Sequence, residues 1–170
     1  MFNLTPTLQN ELVKLVPLQE EDFETLYKIA SDPLIWEQHP NKNRWKKEVF
    51  QVFFQGALES KGAFVIYDAQ TNQAIGSSRF YDFDKEKSQV SIGYTFYARS
   101  HWGGKYNPAA KQLMMAHAFR FIDQVIFHIG AQNIRSQKAI AKLGAIKIAE
   151  EEIAYFGEDS KLNFIYSIRK

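Results

Sequence analysis

A chain of 170 residues, 45% hydrophobic and 24% charged, has the size and make-up of one soluble domain with a sizeable core, expected to span residues 1–170. A net charge of +2 without a long basic tract argues against nucleic acid and against a membrane surface as partners. The absence of cysteine excludes disulfides, thiolate metal sites and a cysteine nucleophile, and the lack of a secretory core or any run of about 18 apolar residues makes the cytoplasm the expected compartment.

In chain order, Glu11–Leu18 alternates and predicts a strand. Glu20–Ser31 sets Phe23, Leu26, Tyr27 and Ala30 at helical spacing before Pro33 interrupts it. Arg44–Ser60 predicts a second helix with Trp45, Val49, Val52, Phe53 and Ala57 on its apolar stripe. Gly62–Ala69, Gln73–Phe83 and Ser88–Ala98 read as three strands, with hairpin turns at "QTN" and "DKEK". Pro108–Ile122 predicts a third helix, Val125–Ile129 a short buried strand, and Arg135–Leu143 a fourth helix closed by Gly144. Two final strands, Ile146–Phe156 and Leu162–Lys170, meet near Gly157. Seven strands and four helices in the order β, α, α, β, β, β, α, β, α, β, β define a mixed α/β domain on one central sheet.

Two stretches stand out. "RSHWGGKYNPAAK" sets Gly103 and Gly104 before a helix start marked by Asn107 as N-cap and Pro108 as first helical residue. Glycines let a ligand approach the main chain, and the free amides of a helix start attract an anion, although such a loop also serves as a plain turn. Neither a P-loop nor the dinucleotide Gly-x-Gly-x-x-Gly pattern is present, so phosphate is expected without a nucleoside triphosphate or NAD. In "QNIRSQKAIAKLGA", Asn133 caps the fourth helix, and Ser136 shares a face with Ala139, Ile140 and Leu143, where a hydroxyl needs a partner.

Together, "IGYTF", "WGGKYN", a helix, a strand, N-x-x-S and "LGA", in that order, resemble the GNAT superfamily of acetyl-CoA-dependent N-acetyltransferases, and within it the ribosomal-protein N-terminal acetyltransferases. The resemblance covers the whole chain. It implies a mostly antiparallel, seven-stranded twisted sheet split between its fourth and fifth strands, with acetyl-CoA in the split and no metal. It further implies that Tyr94, Thr95 and Phe96 face the pantetheine arm and that a backbone amide there, assigned to Phe96, stabilises the oxyanion. Trp102, Gly103, Gly104, Lys105, Tyr106 and Asn107 would hold the pyrophosphate, with Asn133 and Ser136 at the cofactor's reactive end and Ser136 as donor to the leaving thiolate. The sequence departs from family patterns at several places. Ser100 and Lys105 stand at the first and last places of the usual Gln/Arg-x-x-Gly-x-Gly/Ala signature, with Arg99 one position early. Ile140 replaces a common Tyr, and Ser91 replaces a common Glu before Ile-Gly-Tyr, so the usual general base is absent.

The chemistry narrows the acceptor. An α-amine with a pKa of about 8 is roughly one-tenth neutral at neutral pH, whereas a lysine at about 10.4 is neutral in well under one-thousandth of molecules. An α-amine on a peptide N-terminus or an amino-acid-like molecule therefore tolerates a missing base. Trp36, Arg79 and Tyr81 are the candidate acceptor contacts, Arg79 because a guanidinium fork suits a carboxylate or a peptide backbone. The four histidines show no metal-ligand spacing, so no metal is expected. The expected partners are an acyl donor and an amine acceptor, with a homodimer left open. A non-catalytic CoA-binding or interaction module on the same fold is the alternative.

Overall fold

A computed structural model describes all 170 residues. One eight-stranded sheet runs through it in the order β1-β2-β3-β4-β5-β6-β8-β7. Its strands are β1 (Leu8–Gln9), β2 (Val13–Pro17), β3 (Ala63–Asp68), β4 (Ala74–Asp84), β5 (Gln89–Tyr97), β6 (Gln124–Gly130), β7 (Ile146–Ala154) and β8 (Ser160–Arg169). Four helices flank it: α1 (Phe23–Ala30), α2 (Lys47–Glu59), α3 (Tyr106–Ala118) and α4 (Ile134–Lys142). The strand beyond the expected seven is β1, two residues that pair Leu8 with Leu15 and Gln9 with Lys14, too short to leave an alternating signature.

Strands β3, β4 and β5 carry buried residues on both faces, and with β2 their side chains feed two cores. Leu15, Phe64, Ile66, Phe80 and Ile92 pack beneath α3 against Met114, while Val65 and Phe96 join Leu26, Phe50, Phe53 and Phe54 of α1 and α2. The apolar stripe of α2 is therefore Phe50, Phe53, Phe54 and Ala57; of the expected stripe Phe53 and Ala57 lie on it, whereas Trp45 and Val52 are 36% and 41% exposed. The helix begins at Lys47 rather than Arg44, and its phenylalanines, having the most apolar area to hide, set its rotation. The third helix likewise begins at Tyr106, so Asn107 lies within its first turn and is not the N-cap, a position held by Lys105 without a side-chain bond. Asn133 does cap α4, its Oδ1 accepting from the Ser136 amide at 3.2 Å. Gly144 (φ +90°) and Gly157 (φ +69°) take the left-handed geometry that ends α4 and turns β7 into β8.

All neighbouring strands are antiparallel except β5 and β6, which α3 connects as a crossover. This parallel pair is joined only over Gln89–Ser91 and Gln124–Ile126. From Ile92 and Phe127 onward the two strands part, and the sheet is split between the fourth and fifth of the seven strands expected.

Candidate active site

The split opens a cleft with a cavity of about 590 Å³, walled by β5, the loop after it, the starts of α3 and α4, β6 and the segment between α1 and α2. A volume of this order suits a sizeable organic ligand. No aspartate or glutamate lines it, whereas Arg44, Lys111, Arg135, Lys138 and Lys142 do.

Strand β5 reaches the cleft bulged. Ser77 pairs with Phe96 and Arg79 with Gly93, so Tyr94 and Thr95 oppose the single residue Ser78. Tyr94 is held at φ +53°, a left-handed conformation that costs a non-glycine residue on the order of 1 kcal/mol or more. Such a bulge breaks the ladder and re-aims backbone groups, here at the mouth of the split.

Past β5, the turn Arg99–His101 leads into the glycine loop. The Trp102 indole donates to the Tyr97 carbonyl at 2.9 Å, and the Arg135 guanidinium lies 3.9 Å over its ring, tying the loop to α4. Gly103 has φ +68°, and a Cβ built at Gly103 or Gly104 points into open space. The first amides of α3 have no intrahelical acceptor, and Asn107 Oδ1 is buried without a partner on the cleft wall. Lys105 and Tyr106 do not line the cleft, and the Tyr106 hydroxyl donates instead to Asp68 at 2.9 Å.

Lys111 was absent from the sequence-derived set. Its side chain is 3% exposed, and its Nζ donates to Thr95 Oγ1 and, at 3.2 Å, to Ser78 Oγ, with no carboxylate beside it. Burial pushes its pKa down to about 7. The signal was present: Lys111, Met114, Met115 and Ala118 follow the i, i+3, i+4, i+7 spacing of a buried helix face.

The opposite end of the cleft is aromatic. Trp36 is buried and gives its indole N–H to the Ala30 carbonyl at 2.8 Å. The Tyr81 hydroxyl meets His128 Nδ1 at 3.1 Å, and Tyr155 donates to Asn163 Oδ1 at 2.7 Å. Burial raises the pKa of Tyr81, Tyr94 and Tyr155 and lowers that of His128, keeping all four neutral near neutrality. Trp36 and Tyr81 thus line the cleft as sequence reasoning placed them, but Arg79 does not. Its guanidinium lies behind the wall, 3.6 Å from the Tyr94 ring centroid, and donates to the Phe53 carbonyl at 3.4 Å. The cation that lines the cleft at this end is instead the buried Arg44, which the expected helix start had hidden. Tyr94, Thr95, Phe96, Trp102, Gly103, Gly104, Asn107, Asn133 and Ser136 all line the same cleft, Ser136 half-buried at the start of α4.

A split mixed sheet, a bulged strand and a glycine-led helix start around one cation-lined cleft define an acyltransferase-type domain. The chain belongs to the acetyltransferase (GNAT) domain family, whose profile matches residues 13–146. The uncharacterized N-acetyltransferase p20 of Bacillus licheniformis is 27% identical over 119 residues, a stretch spanning 66% of either chain and so just short of two thirds. A GCN5-related N-acetyltransferase from Brucella melitensis superposes with a TM-score of 0.82 at 14% identity, over 96% of this chain and 78% of that one. Mycobacterium smegmatis RimJ, solved in complex with CoA-disulfide, gives a TM-score of 0.73 at 16% identity, over 96% and 86%. These two likenesses are likenesses of fold. No helix is long and apolar enough to cross a membrane.

Proposed function

We propose that the protein is an N-acetyltransferase that moves the acetyl group of acetyl-CoA to a primary amine by direct attack, with both substrates bound. The observation that carries this reading is the cleft itself: a glycine cradle at one end, a backbone bulge in the middle, and cations without a single lining carboxylate. The residues fit CoA. A ligand phosphate can approach Gly103 and Gly104 where any side chain would intrude, and the orphaned Asn107 Oδ1 offers an acceptor to a pantetheine amide. The cofactor supplies the activated acyl group. The chain supplies the rest: the amides of Trp102 to Asn107 hold the pyrophosphate, a backbone N–H at the Tyr94–Phe96 bulge stabilises charge on the carbonyl oxygen, and Ser136 donates a hydrogen bond to the departing sulfur. Lys105 and Tyr106 take part through their main chain, and Asn133 acts by fixing the start of α4 and hence Ser136.

The acceptor is the amine of a peptide N-terminus or of an amino-acid-like molecule. A polycation would want clustered carboxylates, and the cleft has none. The α-amine of a peptide N-terminus, neutral in about one molecule in ten, also needs the least from a base. The test is a CoA-release assay on amino acids, peptides, polyamines and aminoglycosides. We expect turnover with α-amines, little with polycations, and a loss of about tenfold or more in kcat for Ser136→Ala at an unchanged KM for acetyl-CoA. CoA binding with no turnover on any amine would identify a non-catalytic module instead.

A further inference from the structure

Arg44 is the least expected residue of the aromatic end. It is 1% exposed, yet lines the cleft, with its guanidinium carbon 4.7 Å from the Phe53 ring centroid and 5.5 Å from that of Trp36. Its Nε donates to Glu158 Oε1 at 2.7 Å and its Nη1 to His39 Nε2 at 3.1 Å. The same Glu158 oxygen also faces Nη2, but off the N–H direction, so Nη2 is a buried donor without a hydrogen-bond acceptor. A guanidinium fork normally takes two carboxylate oxygens, one per N–H direction. Here a single oxygen, from the β7–β8 turn, straddles the edge.

The charges around it do not balance. Arg79 lies 3.6 Å from the centroid of the Tyr94 ring, donates to the Phe53 carbonyl and forms no ion pair. Burial and the neighbouring Arg44 hold His39 well below its ordinary pKa, leaving it neutral. Glu158 is thus one carboxylate against two buried guanidiniums, and Asp82, the other acid of this neighbourhood, is exposed and does not line the cleft. A buried cation in excess of its partners is costly unless an anion completes the site.

We propose that the acceptor amine carries its own carboxylate and that Arg44 binds it, the ligand taking the donor that Glu158 leaves free or displacing Glu158 from the fork. This rests on the acetyl-transfer reading and narrows its acceptor to a free amino acid or a similarly small amino-carboxylate, in preference to a protein N-terminus, which has no carboxylate close to its amine. The aromatic walls of Trp36, Tyr94 and Tyr155 exclude water from the pair and strengthen it.

The experiment compares kcat/KM for amino acids with that for the matching amino-acid amides and decarboxylated amines. The carboxylate form is expected to be favoured by about tenfold or more, the usual size of a charge-assisted bond. Arg44→Met should bring that ratio close to one. Because Arg44 is buried and its loss can impair folding, Glu158→Gln, at the hairpin turn, is the second arm. It should lower the KM for the amino acid relative to its amide by freeing the fork. Amides or simple amines acetylated as well as amino acids, or a Glu158→Gln variant whose selectivity falls, would overturn the proposal while leaving acetyl transfer intact. No turnover on any amine removes the acetyl-transfer reading and this one with it.

Discussion

Lys111 shows how one residue can carry both a cost and an opportunity. Its Nζ is bonded only to neutral hydroxyls, and burial lowers its pKa to about 7, well under the ordinary lysine value of about 10.4. Between those two values the unfolded chain binds more protons than the native one, so this group makes stability rise with pH there. Its burial cost is fully present below the folded pKa and is relieved as pH climbs towards the unfolded one. Lys111→Met should therefore raise the melting temperature most near pH 6, with the advantage over wild type shrinking by about pH 9. Thermal melts of both proteins at the two pH values measure it, and a pH-independent difference would mean that Nζ keeps an ordinary pKa. Under the acetyl-transfer reading proposed above, the same ammonium would serve as a counter-charge to the acyl donor.

At the scale of elements, the loop from Arg99 to Lys105 matters for what it omits. A Cβ at Gly104 would meet nothing closer than the Trp102 carbonyl at 4.0 Å, and Gly104, unlike Gly103, has no positive φ. Gly104→Val is therefore compatible with the fold, and its methyl groups would enter the open space in which we propose that the pyrophosphate sits. We expect calorimetry to show CoA affinity down by about tenfold or more at an unchanged melting temperature. Equal affinity in a folded variant would move the pyrophosphate elsewhere. The glycine pair made this loop legible in the sequence, but asparagine and proline misplaced the helix start, which comes at Tyr106 with Asn107 inside the first turn. Strands β3 to β6 were legible for the same local reason, each a β-branched or aromatic run between turn residues. What local pattern could not supply was rotation and partnership. Val52 and Phe50 lie on the same helix, and only the tertiary surface beneath α2 decides that Phe50 goes in. Arg79 could be placed on a strand but not on a side of Tyr94, and the partner of Arg44 lies 114 residues away.

For the molecule as a whole, the weak seam is the split. Two halves of the sheet, β1–β5 and β6–β8, are joined by three paired positions between β5 and β6 and by what packs across the cleft. Arg135 from α4, lying on Trp102 and donating to the Ile35 carbonyl at 3.3 Å, is one such bridge. A ligand seated between the parted strands would add another, binding the native state and not the unfolded one. At a concentration about 100 times its Kd, CoA should then stabilise the fold by about 2.7 kcal/mol. For a chain of this length that is a rise in Tm of about 5–10 °C. The stabilisation should be local as well as global, so amides of Ile92–Phe96 and Phe127–Gly130 should exchange more slowly with CoA present than those of β2 and β3, which lie away from the seam. Because cations line the cleft and no carboxylate does, the shift should also shrink as salt rises from low to physiological ionic strength. Thermal melts and amide exchange with and without CoA test all three statements. A shift insensitive to salt, or protection confined to the outer strands, would place the ligand somewhere other than the split.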